Sequence, residues 1–368
     1  MLSIKSVINR YACVILIIIQ SSAIAQLAGD REVGGAKDFS AVDAYFVLSE
    51  RLQKKLEPTN LEWKGFFKSP INLMMISSGV LDTAEFKQDL RKVYSKSGYH
   101  LDRNDAHLEH HMKYKVNEKK LKDHILFLKS SNLNDSILKY LRPFLPDRLW
   151  TIQKIPKQYY IFYGSEEATG APGMVICDLH LSSIVDNYRL GLLSAHETFH
   201  SIVTAAFSDL IKTPEGNYDP NMDLLYFLSN ISQEGIADLI DKPLLSKKES
   251  PLKVEVAKLR ENEVQKTINS ITKLDSLLEM ANGNFALDFY SLNSDYSHSG
   301  GHIPGRLMAQ LIQDSGLLPQ FLPYIADPIR FLELYNEALV KTKSNLPGFS
   351  KRTMEYLNDL KQKYYAPK

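Results

Sequence analysis

Residues His196-Glu197-Thr198-Phe199-His200 have the spacing HExxH. On an α-helix, two histidines four residues apart leave the same face and can grip one zinc ion. Glu197 then stands beside the metal's open position, where a carboxylate can take a proton from a bound water. That chemistry is hydrolysis, most often of peptide bonds. Leu192, Leu193, Ala195, Phe199, Ile202 and Val203 surround the trio at helical spacing and predict a mostly buried helix. Burying two imidazoles and a carboxylate without partners is costly, and a metal removes the difficulty. The alternative, a surface helix with two solvated histidines, fits poorly with so apolar a face.

Two ligands do not hold a catalytic zinc. A histidine six residues after His200 would be one solution, but position 206 is Ala206. A glutamate on a following helix is the other. Leu224, Leu225, Leu228, Ile231, Gly235 and Leu239 give the next segment a helical apolar face, and Glu234 lies on that helix. Asp238, four residues on, shares its side of the helix. Glu234 is the expected third ligand. Asp238 is expected to accept the far N–H of a zinc histidine, His196, and so fix its tautomer. The plainer alternative for both is a helix carrying two exposed carboxylates.

HETFH followed by Glu234 and Asp238 resembles the gluzincins, the thermolysin-like branch of zinc peptidases. Glu234-Gly235-Ile236-Ala237 is similar to the third-ligand motif of the related aminopeptidases. The chain departs in spacing: 33 residues separate His200 from Glu234, more than in thermolysin-like enzymes. The loop-like stretch from Thr213 to Asn221 can absorb the excess. The whole-chain pattern looks most like zinc-dependent peptidases of unknown substrate found in Bacteroidetes, with the specific motifs confined to residues 190–310. A third element extends the likeness. Asp295-Tyr-Ser-His298-Ser-Gly-Gly-His302-Ile-Pro-Gly305 precedes another helix and is similar to a thermolysin-like loop. That resemblance implies that His302 donates to the oxyanion from across the cleft, with Asp295 orienting it. His298 competes for the role, and a structural loop is the alternative to both. The Gly300-Gly301 pair would let backbone approach the site closely.

The elements around these motifs are mostly helical. Ser40-Ala-Val-Asp43 reads as a capping box opening a helix to Leu56. Further helices are expected near Thr83–Ser97, Glu118–Ser130 and Asp135–Phe144. Tyr159–Tyr163 and Met174–Asp178 read as strands with a turn-rich stretch, 164–173, between them. Ser250-Pro251 starts one long amphipathic helix to about Ala281, stopped by Asn282-Gly283. His107, Glu109, His110 and His111 form a second histidine cluster, read as a solvated stretch rather than an accessory metal site.

The first residues set the compartment. Lys5 and Arg10 precede a short apolar run, Tyr11–Ile19, and Ser21–Ala25 ends in Ala-x-Ala. This is the pattern of a secretory signal peptide cleaved after Ala25. The run is too short for a good membrane span, and no other stretch reaches that length. Cys13 falls inside it, so the exported chain keeps Cys177 alone and makes no intrachain disulfide. A glycan on the Asn230-Ile-Ser232 sequon would crowd Glu234, which favours a bacterial periplasmic or secreted protein. A net charge of +1 gives no reason to expect nucleic acid as a partner.

The expected fold is α+β and mostly helical. A small sheet packs on the HExxH helix in a zincin-like core, with N- and C-terminal helices flanking it. The expected layout is a signal peptide over 1–25, a helical region over 26–148, a catalytic region over 149–316 and a helical region over 317–368. The expected activity is hydrolysis of a peptide or protein substrate by a zinc-activated water, with Glu197 as base. The same residues would serve a zinc hydrolase of a non-peptide amide or ester. A non-catalytic helical binding protein with structural zinc is the third possibility, though it has no use for Glu197.

Overall fold

The computed structural model describes residues 35–94, 106–149, 154–212, 219–281 and 286–366. The export segment, positions 213–218 of the loop after α8 and the Asn282-Gly283 stop lie outside them. In chain order the elements are β1 (Lys37–Asp38), α1 (Ser40–Gln53), α2 (Asn60–Phe67), α3 (Pro70–Ser77), α4 (Thr83–Tyr94), α5 (Ala106–Ser130) and α6 (Leu133–Leu141). Strands β2 (Lys157–Ile161), β3 (Ala168–Ala171) and β4 (Met174–Asp178) follow, then α7 (Leu179–Tyr188), α8 (Leu192–Leu210) and α9 (Pro220–Leu245). The chain continues as α10 (Lys253–Leu259), α11 (Glu263–Ala281), α12 (Phe289–Tyr296), α13 (His302–Asp314), α14 (Leu318–Phe321), α15 (Pro328–Thr342) and α16 (Lys351–Tyr364). The protein is thus mostly helical with one small mixed sheet, the expected class. Among the described residues, no helix is long and apolar enough to cross a membrane.

The described residues fall into two compact units, one within Met1–Leu138 and Ile152–Thr198, the other within Lys139–Thr151 and Phe199–Lys368. The first holds the sheet, in the order β1-β2-β4-β3. β1 and β4 run parallel to β2, and β3 is antiparallel to β4. All five residues of β4 are buried, Cys177 among them. One apolar cluster joins Ala41, Ile71, Met74 and Met75 of the helices to Ile161, Ala171, Met174 and Ile176 of the strands. The second unit is helical, with α9, α11, α13, α15 and α16 supplying most of its core.

Several local expectations need correction. Ser40 does not cap α1 from its own side chain; Asp38 Oδ1 accepts from Ser40 N (2.9 Å) and Ser40 Oγ (2.6 Å). The capping box in this region is instead Thr59 with Glu62, at α2. The stretch 164–173 contains β3, because Pro172-Gly173, with Gly173 at φ 80°, turns the chain tightly into β4. The expected helix over 250–281 is two helices. They part at Arg260–Asn262, where Asn262 adopts φ 56°, a left-handed conformation Asn tolerates. Helix α5 starts twelve residues before Glu118, and the cluster divides: His107 and Glu109 are exposed, as expected, while His110 and His111 are core residues. His110 Nε2 meets Asp178 Oδ2 at 2.9 Å, and His111 Nδ1 meets the Tyr45 hydroxyl at 3.1 Å, all buried. Neither belongs to a group with metal-ligand spacing among the described residues.

The start of α8 is anchored by a buried polar chain. Asp186 Oδ1 accepts from Gly191 N (3.0 Å), and its Oδ2 meets Ser182 Oγ (2.8 Å). Ser182 Oγ meets His124 Nε2 (3.0 Å), and His124 Nδ1 meets Asn187 Oδ1 (3.0 Å). Asn187 Nδ2 donates onward to Ser183 O, which leaves its Oδ1 an acceptor and makes His124 Nδ1 a donor. Every group is satisfied when His124 and Asp186 together hold one proton. Burial pushes Asp186 up to about 7 and His124 down to about 4. Between those values the folded pair keeps one proton, as the unfolded pair does, so it adds little pH dependence. Asp186→Asn should expose the histidine. The introduced amide would satisfy the chain only with neutral His124, while the unfolded histidine charges below about 6.5. The variant should therefore lose up to about 3 kcal/mol more than the parent as pH falls from 7 to 4. Urea midpoints at pH 7.5 and 4.5 check this; a parent–variant difference independent of pH would refute it.

Candidate metal centre

Helix α8 presents His196, Glu197 and His200 from one unbroken helical run, each no more than 8 % exposed. The two histidines stand one turn apart, as i and i+4 positions must. The next helix, α9, carries Glu234, and His200 Nε2 lies 3.3 Å from Glu234 Oε2. A side-chain hydrogen bond joins the two helices, Thr204 Oγ1 donating to Gln233 Oε1 (3.0 Å), and Gln233 is held in turn by donating from Nε2 to Ser229 Oγ (2.9 Å) within α9. Ligand atoms of His196, His200 and Glu234 all lie within 4.8 Å of one another.

This donor set fits zinc. Two neutral imidazoles and one carboxylate are borderline-soft and hard ligands of the kind that ion takes. A tetrahedral ion with bonds near 2.1 Å keeps its ligands about 3.4 Å apart, and the His200–Glu234 separation is already close to that. A second group, His196 with Asp238 and Asp241, also falls within 4.8 Å. It fits less well, because both carboxylates already have a cation. Lys242 Nζ lies 2.8 Å from Asp241 Oδ2 and 3.2 Å from Asp238 Oδ1. Burial would push the Lys242 ammonium down, but the two carboxylates outweigh it and hold it firmly protonated.

The structure revises the expected surroundings. Asp238 does serve a histidine, but that histidine is His302: its Nδ1 lies 3.0 Å from Asp238 Oδ1, not His196's. Burial raises the Asp238 carboxyl, and the His302 and Lys242 charges overcome this to leave it lower than usual. His302 does not stand across a cleft from the ligands. Its Nδ1 is also 3.2 Å from Glu234 Oε2, the oxygen that faces His200. Burial alone would lower its pKa; Asp238 and Glu234 outweigh that and raise it. Asp295 does not orient it, being exposed and hydrogen-bonded to Ser294 Oγ (2.7 Å) one residue away. His298 is exposed too, and it contributes backbone: its N–H donates to Ile303 O (2.8 Å) and its carbonyl accepts from Ile303 N (3.2 Å).

Glycines make this convergence possible. The 298–303 loop closes on itself through Gly300 and Gly301, at φ 66° and 102°. Gly300 O accepts from Asn230 Nδ2 at 2.6 Å, so the sequon amide is engaged in pinning the loop to α9. A β-carbon on Gly301 would come 2.7 Å from that same amide and 3.4 Å from Glu234 Cγ. One turn on, α9 and α13 cross backbone to backbone. A β-carbon on Gly235 would overlap the carbonyl of Gly305, and one on Gly305 the carbonyl of Ile231. Arg306, buried beside the crossing, pairs through Nε and Nη2 with the two carboxylate oxygens of Glu263 of α11.

Sequence reasoning missed Asp241, Lys242, Asn230 as a loop clamp, and the Arg306–Glu263 pair. The i, i+4 spacing of Asp238 and Lys242 was a usable signal; the others join residues at least 43 apart or depend on the packing of α9. No curated protein and no solved structure matches this chain. A family model described as putative zinc dependent peptidase (DUF5700) matches residues 63–344, a span that includes α8, α9 and the His302 loop, and the chain belongs to this family of zinc-dependent peptidases.

Proposed function

We propose that this chain is an exported zinc peptidase of the gluzincin type, related to the thermolysin-like branch and similar to peptidases of Bacteroidetes. His196, His200 and Glu234 would hold the ion. The observation that carries this reading is the 3.3 Å approach of Glu234 to His200 across 33 intervening residues. When bound, zinc supplies a Lewis acid that lowers the pKa of its water to near neutrality. Glu197, on the same turn of α8 as His196, would hold the proton of an attacking water and pass it to the leaving amine. The apolar flank of α8 keeps bulk water away from this exchange, which strengthens the electrostatics inside. The Ala-x-Ala at positions 23–25 supports export, with cleavage after Ala25.

Purified protein should hold about one zinc per chain, counted by elemental analysis, and cleave members of a mixed peptide library. His200→Ala should lose the metal and the cleavage together. Full zinc occupancy in His200→Ala would refute the site. Zinc binding with turnover of ester or amide compounds and no peptide cleavage would move the reading to a non-peptide hydrolase.

A further inference from the structure

We propose that His302 is a positioning residue for the third zinc ligand, its Nδ1 hydrogen-bonded to Asp238 and set against the Glu234 carboxylate by charge, with Lys242 behind Asp238. This rests on the zinc reading above and deepens it. Three observations carry it. His302 Nδ1 lies between two carboxylate oxygens, 3.2 Å from Glu234 Oε2 and 3.0 Å from Asp238 Oδ1. A carboxylate that ligates through one oxygen is free to rotate unless a donor holds it, and such outer partners set metal affinity. Next, Glu234, Asp238 and Lys242 follow one another at intervals of four along α9, so the row Glu234–His302–Asp238–Lys242 alternates anion and donor. Asp238 Oδ1 accepts from both His302 and Lys242, which fixes it as the base on which the imidazole stands. Finally, the loop that delivers His302 is fastened to α9 itself, by Asn230 on Gly300 O and by the lack of room at Gly301. Ligand and positioning residue therefore move as one body. Nδ1, held by Asp238 and facing Glu234, serves this positioning role and leaves Nε2 for any contact with substrate.

The test reads metal, not turnover. In a Glu197→Gln background, zinc affinity is measured by competition with a chromophoric chelator, and the cobalt-substituted protein is examined by visible absorption. His302→Ala should weaken zinc about 10–100-fold and alter the cobalt spectrum. His302→Asn places an amide nitrogen near the position of Nδ1 and should restore most of the affinity. His302→Gln reaches to the position of Nε2 and should not. If His302→Ala fails to fold, the Asn–Gln contrast still decides. Equal zinc affinity in all three would overturn the proposal, as would rescue by Gln and not by Asn. His200→Ala is the control: if it binds zinc as the parent does, the zinc site itself is wrong, whereas neutral His302 variants beside a metal-free His200→Ala refute this inference alone.

Discussion

Replacing Glu197 by Gln should leave zinc bound and cut peptide hydrolysis about 10²–10⁴-fold, the contribution a positioned general base makes. The substitution keeps size and removes basicity. Nothing in the ligand set changes, because Glu197 lies beside His196 and is not a member of the group that converges with Glu234. The loss should fall on kcat and kcat/KM together, since the interaction is made in the transition state. Elemental analysis and a peptide assay on the same sample give the answer. A variant that cleaves as fast as the parent would exclude this class of hydrolysis, and one that lost zinc would make Glu197 a ligand instead of a base.

Gly305→Ala should be the most damaging single-methyl change in the second unit. Its β-carbon has no space, because the carbonyl of Ile231 occupies the position and is held in the backbone of α9. A flexible side chain could swing aside; a helix carbonyl cannot without moving the helix. Overpacking in a core costs about 1–3 kcal/mol and sometimes more, and here the neighbour is backbone, so the upper end or beyond is expected. Gly235→Ala should behave alike, meeting the carbonyl of Gly305. The two should not add, since either one forces α9 and α13 apart. Urea midpoints of the single and double variants measure the effect. The same separation would draw His302 from Glu234, so folded variants should also bind zinc more weakly. Unchanged midpoints would mean the crossing is looser than these glycines indicate.

The motif-bearing helices were legible because their signals are local. HExxH positions two ligands by helical periodicity alone, and Leu224, Leu225, Leu228 and Ile231 marked α9 before any tertiary contact was known. Met174–Asp178 forms the expected strand, a buried and mostly apolar run that follows a turn. Two expectations differ from the structure for different reasons. His110 and His111 sit among charged neighbours and read as solvated, yet they face the core on α5, where Asp178 and Tyr45 receive them. Asn262 broke a helix that amphipathic spacing carried straight through. For the histidines tertiary partners outweighed a local pattern; at Asn262 a single left-handed residue interrupts the helix.

The sequence by itself determined the chemistry on offer: two imidazoles and a carboxylate at i, i+1 and i+4 of a buried helix, and a Glu-x-x-x-Asp pair on the next. Periodicity suffices for that, because residues within one helix have fixed relative positions. Which of those groups meet was decided only by tertiary structure. Glu234 reaches His200 across a long insertion, and Asp238 takes His302, 64 residues away, rather than His196. Asp295, nearer in sequence, faces solvent. The physical reason lies in Gly235, Gly301 and Gly305. Two helices and a loop can approach to backbone contact only where side chains are missing from both surfaces at the same place. A one-dimensional sequence records each glycine but not which of them will face another.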